Sequence, residues 1–411
     1  MFSRFIKFTK KQHQSKGHMK KYFDYASQTP TDSRVLKVVQ NASSKLFYNP
    51  GALYSNGVIS SKILKDSRNK IASVLSDKSL NSVHPNEIIF TSGGTESNNI
   101  AIQGVVDKWY ENKNYEYSEK PHIIISEIEH PAIYNVVESL KKQNKITFSK
   151  IKINNDGLID LQNLKDQLLE NKNTILVSII LVNNEIGSIQ PIRDIASIVR
   201  KARGSGLYPL LQSDACQAVN YLAMPFDRMG VDLVSYDASK FYGPKAIGFL
   251  YIKRNTPINP VYFGGDQEYG MRPGTENLPA IVGMVKALEI IFQEKEKEIK
   301  RLYKLQQYIF SKIEKMKNVT INGSTLQEKR IVNNINICFP GNDSEFLLFK
   351  MDKLGYEVST GTTCQNKKED SRSISVQALG GDCAGSSLRI SFGRFTTMGQ
   401  VRGLVSAISK I

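Results

Sequence analysis

Lys240 stands in residues 234–252, VSYDASKFYGPKAIGFLYI, between a mostly apolar run at 231–234 and a second at 247–252. The simplest reading is two strands joined by a turn that holds the lysine. Burial there disfavours the charged ammonium and lowers its pKa, freeing an amine that forms Schiff bases with carbonyl compounds. A surface lysine in a hairpin is the alternative. A second reactive candidate is Cys364. Its loop, Ser359-Thr360-Gly361-Thr362-Thr363-Cys364, runs into the polar stretch QNKKEDSRS, so the thiol is exposed enough to react; an inert surface thiol is the alternative. A third is residues 87–99, EIIFTSGGTESNN, followed by a periodic apolar stretch at 100–109. That is a strand, a tight glycine turn and a helix start, whose unpaired N–H groups and dipole suit an anion, most naturally a phosphate. A glycine pair also serves as a plain turn.

Polar residues recur where the pattern places the ends of other strands. His130 follows the strand 122–126, Asn183-Asn184-Glu185 the strand 174–182, Asp214 with Cys216 and Gln217 the strand 208–211, and Lys240 the run 231–234. Asp214 also suits a helix cap and Asn184 a turn. A further strand is expected at 146–153. Helical patterns lie at 33–46, 60–75, 131–142, 161–170 and 192–202. This alternation means βαβ units and a mainly parallel sheet, in which active sites lie at the carboxyl ends of the strands.

A long charged helix is expected over 286–317, then strands and helices over 332–351, a strand at 386–394 carrying Arg389 and Arg394, and a final helix over 399–411. No internal repeat is visible. The chain of 411 residues divides into a basic extension (1–18), a segment packing on the small domain (19–33), a large domain (34–280) and a small C-terminal domain with the Cys364 loop (281–411).

Hydrophobic content of 40% and charged content of 23% are those of a soluble globular protein. The longest mostly apolar run, 175–182, is too short to span a bilayer. A formal charge of +16 points towards nucleic acid, but the lysines are scattered and no nucleic-acid motif is present. Four cysteines (Cys216, Cys338, Cys364, Cys383) without CxxC spacing argue against a disulfide framework and for a reducing compartment. Residues 1–18 are basic and free of acid, as in an organelle transit peptide, although Met19 would also make an ordinary start. The cytoplasm is the expected compartment, or an organelle matrix if those residues are a transit peptide.

Taken together, FTSGGTESNN, EHPAI, VNNEIG, DACQAV, SKFYGPKAIG, GGDQEYGMRPGTEN, STGTTC and LRISFGRFTT resemble the cysteine desulfurases. These are pyridoxal-phosphate enzymes of the class-V aminotransferase group. The likeness runs from Phe23 to the end of the chain. It implies the fold-type I architecture: a mainly parallel, seven-stranded-type sheet sandwiched by helices, plus a smaller α+β C-terminal domain. It implies pyridoxal 5′-phosphate as cofactor, held covalently by Lys240, with Asp214 on the pyridine nitrogen, His130 on the ring face, and Asn184 and Gln217 on the phenolic oxygen. Gly94 and Thr95, with Ser239 beside the lysine, would hold the phosphate, and Thr275 would reach the phosphate of a second protomer in a homodimer. Arg389, with Asn184, would bind the carboxylate of L-cysteine. Cys364 would take the sulfur as a persulfide, with His130 or Lys240 accepting its proton, and pass it to a scaffold or tRNA-modifying acceptor protein. No direct nucleic-acid or membrane contact is implied, and no metal.

The chain departs from the family at the lysine motif, usually Ser-x-His-Lys, where Asp237 and Ser239 replace the serine and histidine. A carboxylate facing a phosphate is repulsive by about 4 kcal/mol at ~4 Å with an effective dielectric of ~20. Tyr54 also stands where the family usually has a histidine. Desulfurase activity is the leading expectation. A selenocysteine lyase or another lyase or aminotransferase of this fold, and a non-catalytic scaffold paralogue, are the alternatives.

Overall fold

The computed structural model describes residues 21–77, 83–112, 120–222, 225–361 and 372–411. In chain order the elements are β1 (Lys21–Tyr22), α1 (Ser33–Lys45), α2 (Ser55–Leu75), β2 (Ile88–Thr91), α3 (Gly94–Asn112), β3 (His122–Ser126), α4 (Pro131–Lys142), β4 (Thr147–Ile151), α5 (Leu161–Glu170), β5 (Thr174–Ile180), α6 (Ile192–Arg203), β6 (Leu210–Asp214), β7 (Leu233–Asp237), β8 (Gly248–Ile252), α7 (Leu278–Ile313), β9 (Thr320–Ile321), β10 (Asn334–Cys338), α8 (Ser344–Lys353), β11 (Tyr356–Glu357), α9 (Ile374–Ala378), β12 (Ser387–Ser391) and α10 (Met398–Ile408).

Seven strands form the main sheet in the order β2-β8-β7-β6-β5-β3-β4. Only β8 runs against its neighbours. The expected mainly parallel sheet is therefore present. Alternate side chains feed two cores, as the pleat requires. Ile88, Phe90, Ile124, Phe249 and Tyr251 face one core, which α2, α5, α6 and α7 cover. Ile89, Ile123, Ile125 and Leu250 face the other, under α3 and α4. A sheet covered on both faces reads as nearly continuous apolar runs, which is why β3 and β5 are so plain in the sequence.

A smaller antiparallel sheet, β12-β10-β9, lies beyond α7. The N-terminal strand joins this region: β1 pairs in parallel with β11, and Ser391 donates its N–H to Phe23 O at 2.8 Å. Helix α7 has 36 residues and is ~54 Å long. It begins at Leu278, ahead of the expected 286, and ends at Ile313. Its first turns are buried nearly all round (Leu278, Ala280, Ile281, Gly283, Met284), which erases the one-sided periodicity that marks a surface helix.

The expectation against a disulfide is corrected: Cys338 and Cys383 are bonded, with Cα atoms 5.5 Å apart. Cys338 ends β10 opposite Ser387, and Cys383 lies in the turn that leads into β12. Antiparallel pairing brings the two together, and spacing along the chain carries no sign of it. Among the described residues no helix is long and apolar enough to cross a membrane.

One buried ion pair anchors the loop after β8. Arg68 of α2 and Glu268 form a salt bridge with side chains 5% and 1% exposed, and Glu268 also accepts from Phe90 N–H at 2.7 Å. Glu268→Ala would leave the guanidinium buried without its counter-charge, which costs about 3–5 kcal/mol. A lowered midpoint in chemical denaturation is the expected result; an unchanged midpoint would show that the pair contributes little.

Candidate functional site

The carboxyl ends of the parallel strands converge on a cavity of about 360 Å³. The chain turns of β2, β3, β5, β6 and β7 each bring a polar residue to it: Gly94 and Thr95, His130, Asn184, Asp214 with Gln217, and Lys240. Arg389 reaches it from β12 of the small sheet, and Ser27 and Gln28 from the N-terminal segment. This is the edge of a parallel sheet at which ligands bind.

The expected hairpin is present, β7 pairing antiparallel with β8. After β7 a short 3₁₀ turn, Ala238–Lys240, carries the lysine, half-buried, into the cavity. Its Nζ donates to the carbonyl of Ser27. Asp214 is the last residue of β6 and is buried. Its Oδ2 accepts from Asn98 Nδ2 at 2.8 Å, and its Oδ1 from Cys216 N–H at 3.0 Å. Asn98 lies on α3 and itself accepts from Gln212 Nε2 at 2.9 Å. Asn98 escaped the sequence reading. The signal available was a polar residue in phase with the buried face of an apolar helix.

His130 caps α4, its Nδ1 accepting from Ala132 N–H at 3.1 Å. That bond leaves the ring proton on Nε2. Burial pushes the His130 pKa down and keeps the imidazole neutral, against the opposing field of Asp214. Gln217 donates to Ala26 O at 2.8 Å. Asn183 is the turn residue, with Oδ1 accepting from Glu185 N–H and Ile186 N–H, which leaves Asn184 to line the cavity.

Arg389 is buried and already engaged. Its Nη2 donates to Asp24 Oδ1 at 2.6 Å and to Ser27 Oγ at 2.7 Å, and its Nη1 to Asn184 O at 3.3 Å. Its Nε is buried without a partner among the described residues.

Two expected residues are not among those lining the cavity. Ser239 is buried and engages Thr29 through its carbonyl. Thr275 lies in a separate recess with Arg272 and Glu268. Cys364 lies outside the described residues. The residues flanking its segment both meet Glu185. The Glu185 carboxylate accepts from Ser373 Oγ, and it sits 3.3 Å from where a Cβ on Gly361 would stand. Gly361 has φ +93°, so a larger residue there would be strained. Tyr54 is exposed at the start of α2, against Tyr48 and away from the cavity lining.

Glu129 lines the cavity and carries a role that sequence reasoning missed, although it immediately precedes His130. Its Oε1 accepts from Ile180 N–H at 2.7 Å and from Ser126 Oγ, while Oε2 is buried without a partner among the described residues. Burial raises its pKa from 4.5 to about 8. The folded chain then holds a proton that the unfolded chain has released, so this group stabilises fully below pH 4.5 and the contribution fades as pH rises towards 8. Glu129→Gln is expected to flatten the fall in melting temperature across that window, by several degrees relative to the native chain. Parallel melting curves for the two would show that Glu129 is not the titrating group.

The geometry agrees with the likenesses to known proteins. The aminotransferase class-V family model matches residues 21–404. A cysteine desulfurase IscS of Dictyoglomus turgidum is 37% identical over 394 residues, covering 95% of this chain and 94% of the relative. A solved NifS-like protein superposes with a TM-score of 0.83 at 30% identity, over 95% of this chain and 99% of that one. A structure described as SspA in complex with cysteine gives a TM-score of 0.76 at 29% identity, over 92% and 100% of the two chains. A match of that extent makes this chain a member of the class-V aminotransferase family.

Proposed function

We propose that the protein is a cysteine desulfurase that converts L-cysteine to L-alanine and leaves the sulfur as a persulfide on Cys364. One observation carries the reading: Lys240, Asp214 and His130 line one cavity together with Arg389, and the two ends of the segment bearing Cys364 meet Glu185 at its edge. That is an amine, a buried carboxylate and a neutral imidazole in one enclosure, beside a guanidinium.

These residues fit pyridoxal 5′-phosphate at its ring end. Lys240 supplies the amine for its aldehyde, Asp214 a carboxylate for its pyridine nitrogen, and His130 an aromatic face. Asn184 and Gln217 would serve its phenolic oxygen, and Gly94 and Thr95 its phosphate. When bound, the cofactor acts as an electron sink for the substrate carbon framework.

Asp214 is kept in place by Asn98 and Cys216 N–H, so its carboxylate needs no water to be stable in the core. His130 is held neutral, with a proton on Nε2 available to a reacting group. Arg389 is positioned for the substrate carboxylate, which would compete with Asp24 for the guanidinium fork. In the sulfur step the Cys364 thiolate attacks the substrate sulfur. An S–S bond forms, the C–S bond breaks, and the carbon fragment keeps the electron pair and is protonated to alanine. The released Lys240 amine takes the proton that Cys364 sheds, because the neutral His130 ring carries its proton on Nε2 and its Nδ1 lone pair is engaged by Ala132 N–H. The sulfur then passes to an acceptor protein for iron–sulfur cluster assembly or tRNA thiolation. A homodimer in which Thr275 serves the neighbouring protomer is part of the same reading.

Purified protein given pyridoxal 5′-phosphate should gain visible absorbance, and Lys240→Ala should lose it. With cysteine and a reducing thiol such as dithiothreitol, which reduces the Cys364 persulfide and is itself oxidised to a disulfide, alanine and sulfide should appear in equal amounts under anaerobic conditions. Cys364→Ser should abolish sulfide release while keeping the absorbance. Colour without sulfide from the native chain would move the substrate away from cysteine, and sulfide from Cys364→Ser would assign the nucleophile elsewhere.

A further inference from the structure

Asp237 closes β7 beside the start of α3. Its Oδ1 accepts from Ser239 N–H at 2.9 Å. Its Oδ2 lies 3.5 Å from Gly94 N and 3.2 Å from where a Cβ on Gly93 would stand. Helix α3 has 19 residues, and its first free N–H groups and positive dipole end favour an anion. A carboxylate of the chain itself already stands against them. The other acid of that turn, Glu96, is directed elsewhere: it accepts from Ser92 N–H and from Arg272 Nε. The cavity's cations are also engaged, Arg389 by Asp24 and Lys240 by the Ser27 carbonyl. Among the described residues, both hydrogen bonds of Asp237 come from backbone amides.

We propose that Asp237 is an internal occupant of the anion site at the α3 N-terminus, and that it decides which form of the aldehyde cofactor the chain retains. An arriving phosphate has to displace this carboxylate, so the phosphate adds little and pyridoxal binds nearly as well as pyridoxal 5′-phosphate. Asp237 is then a specificity-determining residue for the cofactor within the reading given above, on which this inference rests. Asp237→Ser and Asp237→Asn remove the negative group, and asparagine keeps the shape and the acceptor for Ser239 N–H.

The experiment titrates the native chain and both variants with each aldehyde, following visible absorbance, and measures thermal protection by inorganic phosphate in parallel. The variants should gain at least roughly tenfold in preference for pyridoxal 5′-phosphate over pyridoxal, with pyridoxal affinity unchanged. Inorganic phosphate should protect the variants and not the native chain. A smaller gain in both variants, or a native chain that phosphate already protects as well as the variants, overturns the proposal. If no protein colours with either aldehyde, the reading of Lys240 fails, and the phosphate measurement alone still decides the role of Asp237.

Discussion

The Asp214 carboxylate lies at the end of a strand buried on both faces, and the site is built around the groups that hold it there. A carboxylate in that place is costly by several kcal/mol unless donors replace its water. Two donors do so, the Asn98 amide and the Cys216 N–H, and Asn98 is itself held by Gln212. The requirement fixes how α3 lies on the sheet. With Asn98 turned down onto β6, the start of α3 is set beside the end of β7, and Gly94 comes close to Asp237. A Cβ at Gly94 would approach Cys216 Sγ to 2.6 Å, so a larger residue there would have to push that side chain aside. Anchoring one carboxylate thus brings a second to the helix end.

Closure of the cavity depends on the N-terminal segment. Ser27 receives Lys240 at its carbonyl and Arg389 at its hydroxyl, and Asp24 takes the same guanidinium. The large and small sheets are therefore joined through a short stretch of chain that belongs to neither. Pairing of β1 with β11 holds that stretch in place.

Polar groups packed this closely stay compatible by differing in protonation. Glu129 keeps its proton through burial, and His130 is neutral for the same reason. The Cys216 thiol, which also lines the cavity, is pushed well up by burial and by Asp214, so it stays protonated and unreactive. A pocket in which the acids beside Asp214 are neutral leaves that carboxylate as the dominant negative group at the end of β6, while Asp237 plays that part at the helix end.

Much of the architecture was legible because it depends on local geometry. Continuous apolar runs mark strands buried on both faces, and β3, α4 and α5 fall where the pattern places them. The later placement of β6 and β7 has a physical cause. Gln212, Ser213 and Ser235 are fully buried yet polar, so these strands do not read as apolar. Lys240, His130 and Asp214 were legible as types at strand ends. What they meet was not, since Asn98 lies 116 positions from Asp214 and Ser27 lies 213 from Lys240. The sequence by itself determined the kinds of element, their order and the chemistry at each strand end, because period and turn are properties of a few neighbouring residues. Only the tertiary structure decided that Cys338 meets Cys383, that Arg389 grips Asp24 across 365 positions, and that Asp237 faces a helix end. Hydrogen bonds and ion pairs act over a few ångströms, and only the path of the folded chain brings such distant groups that close.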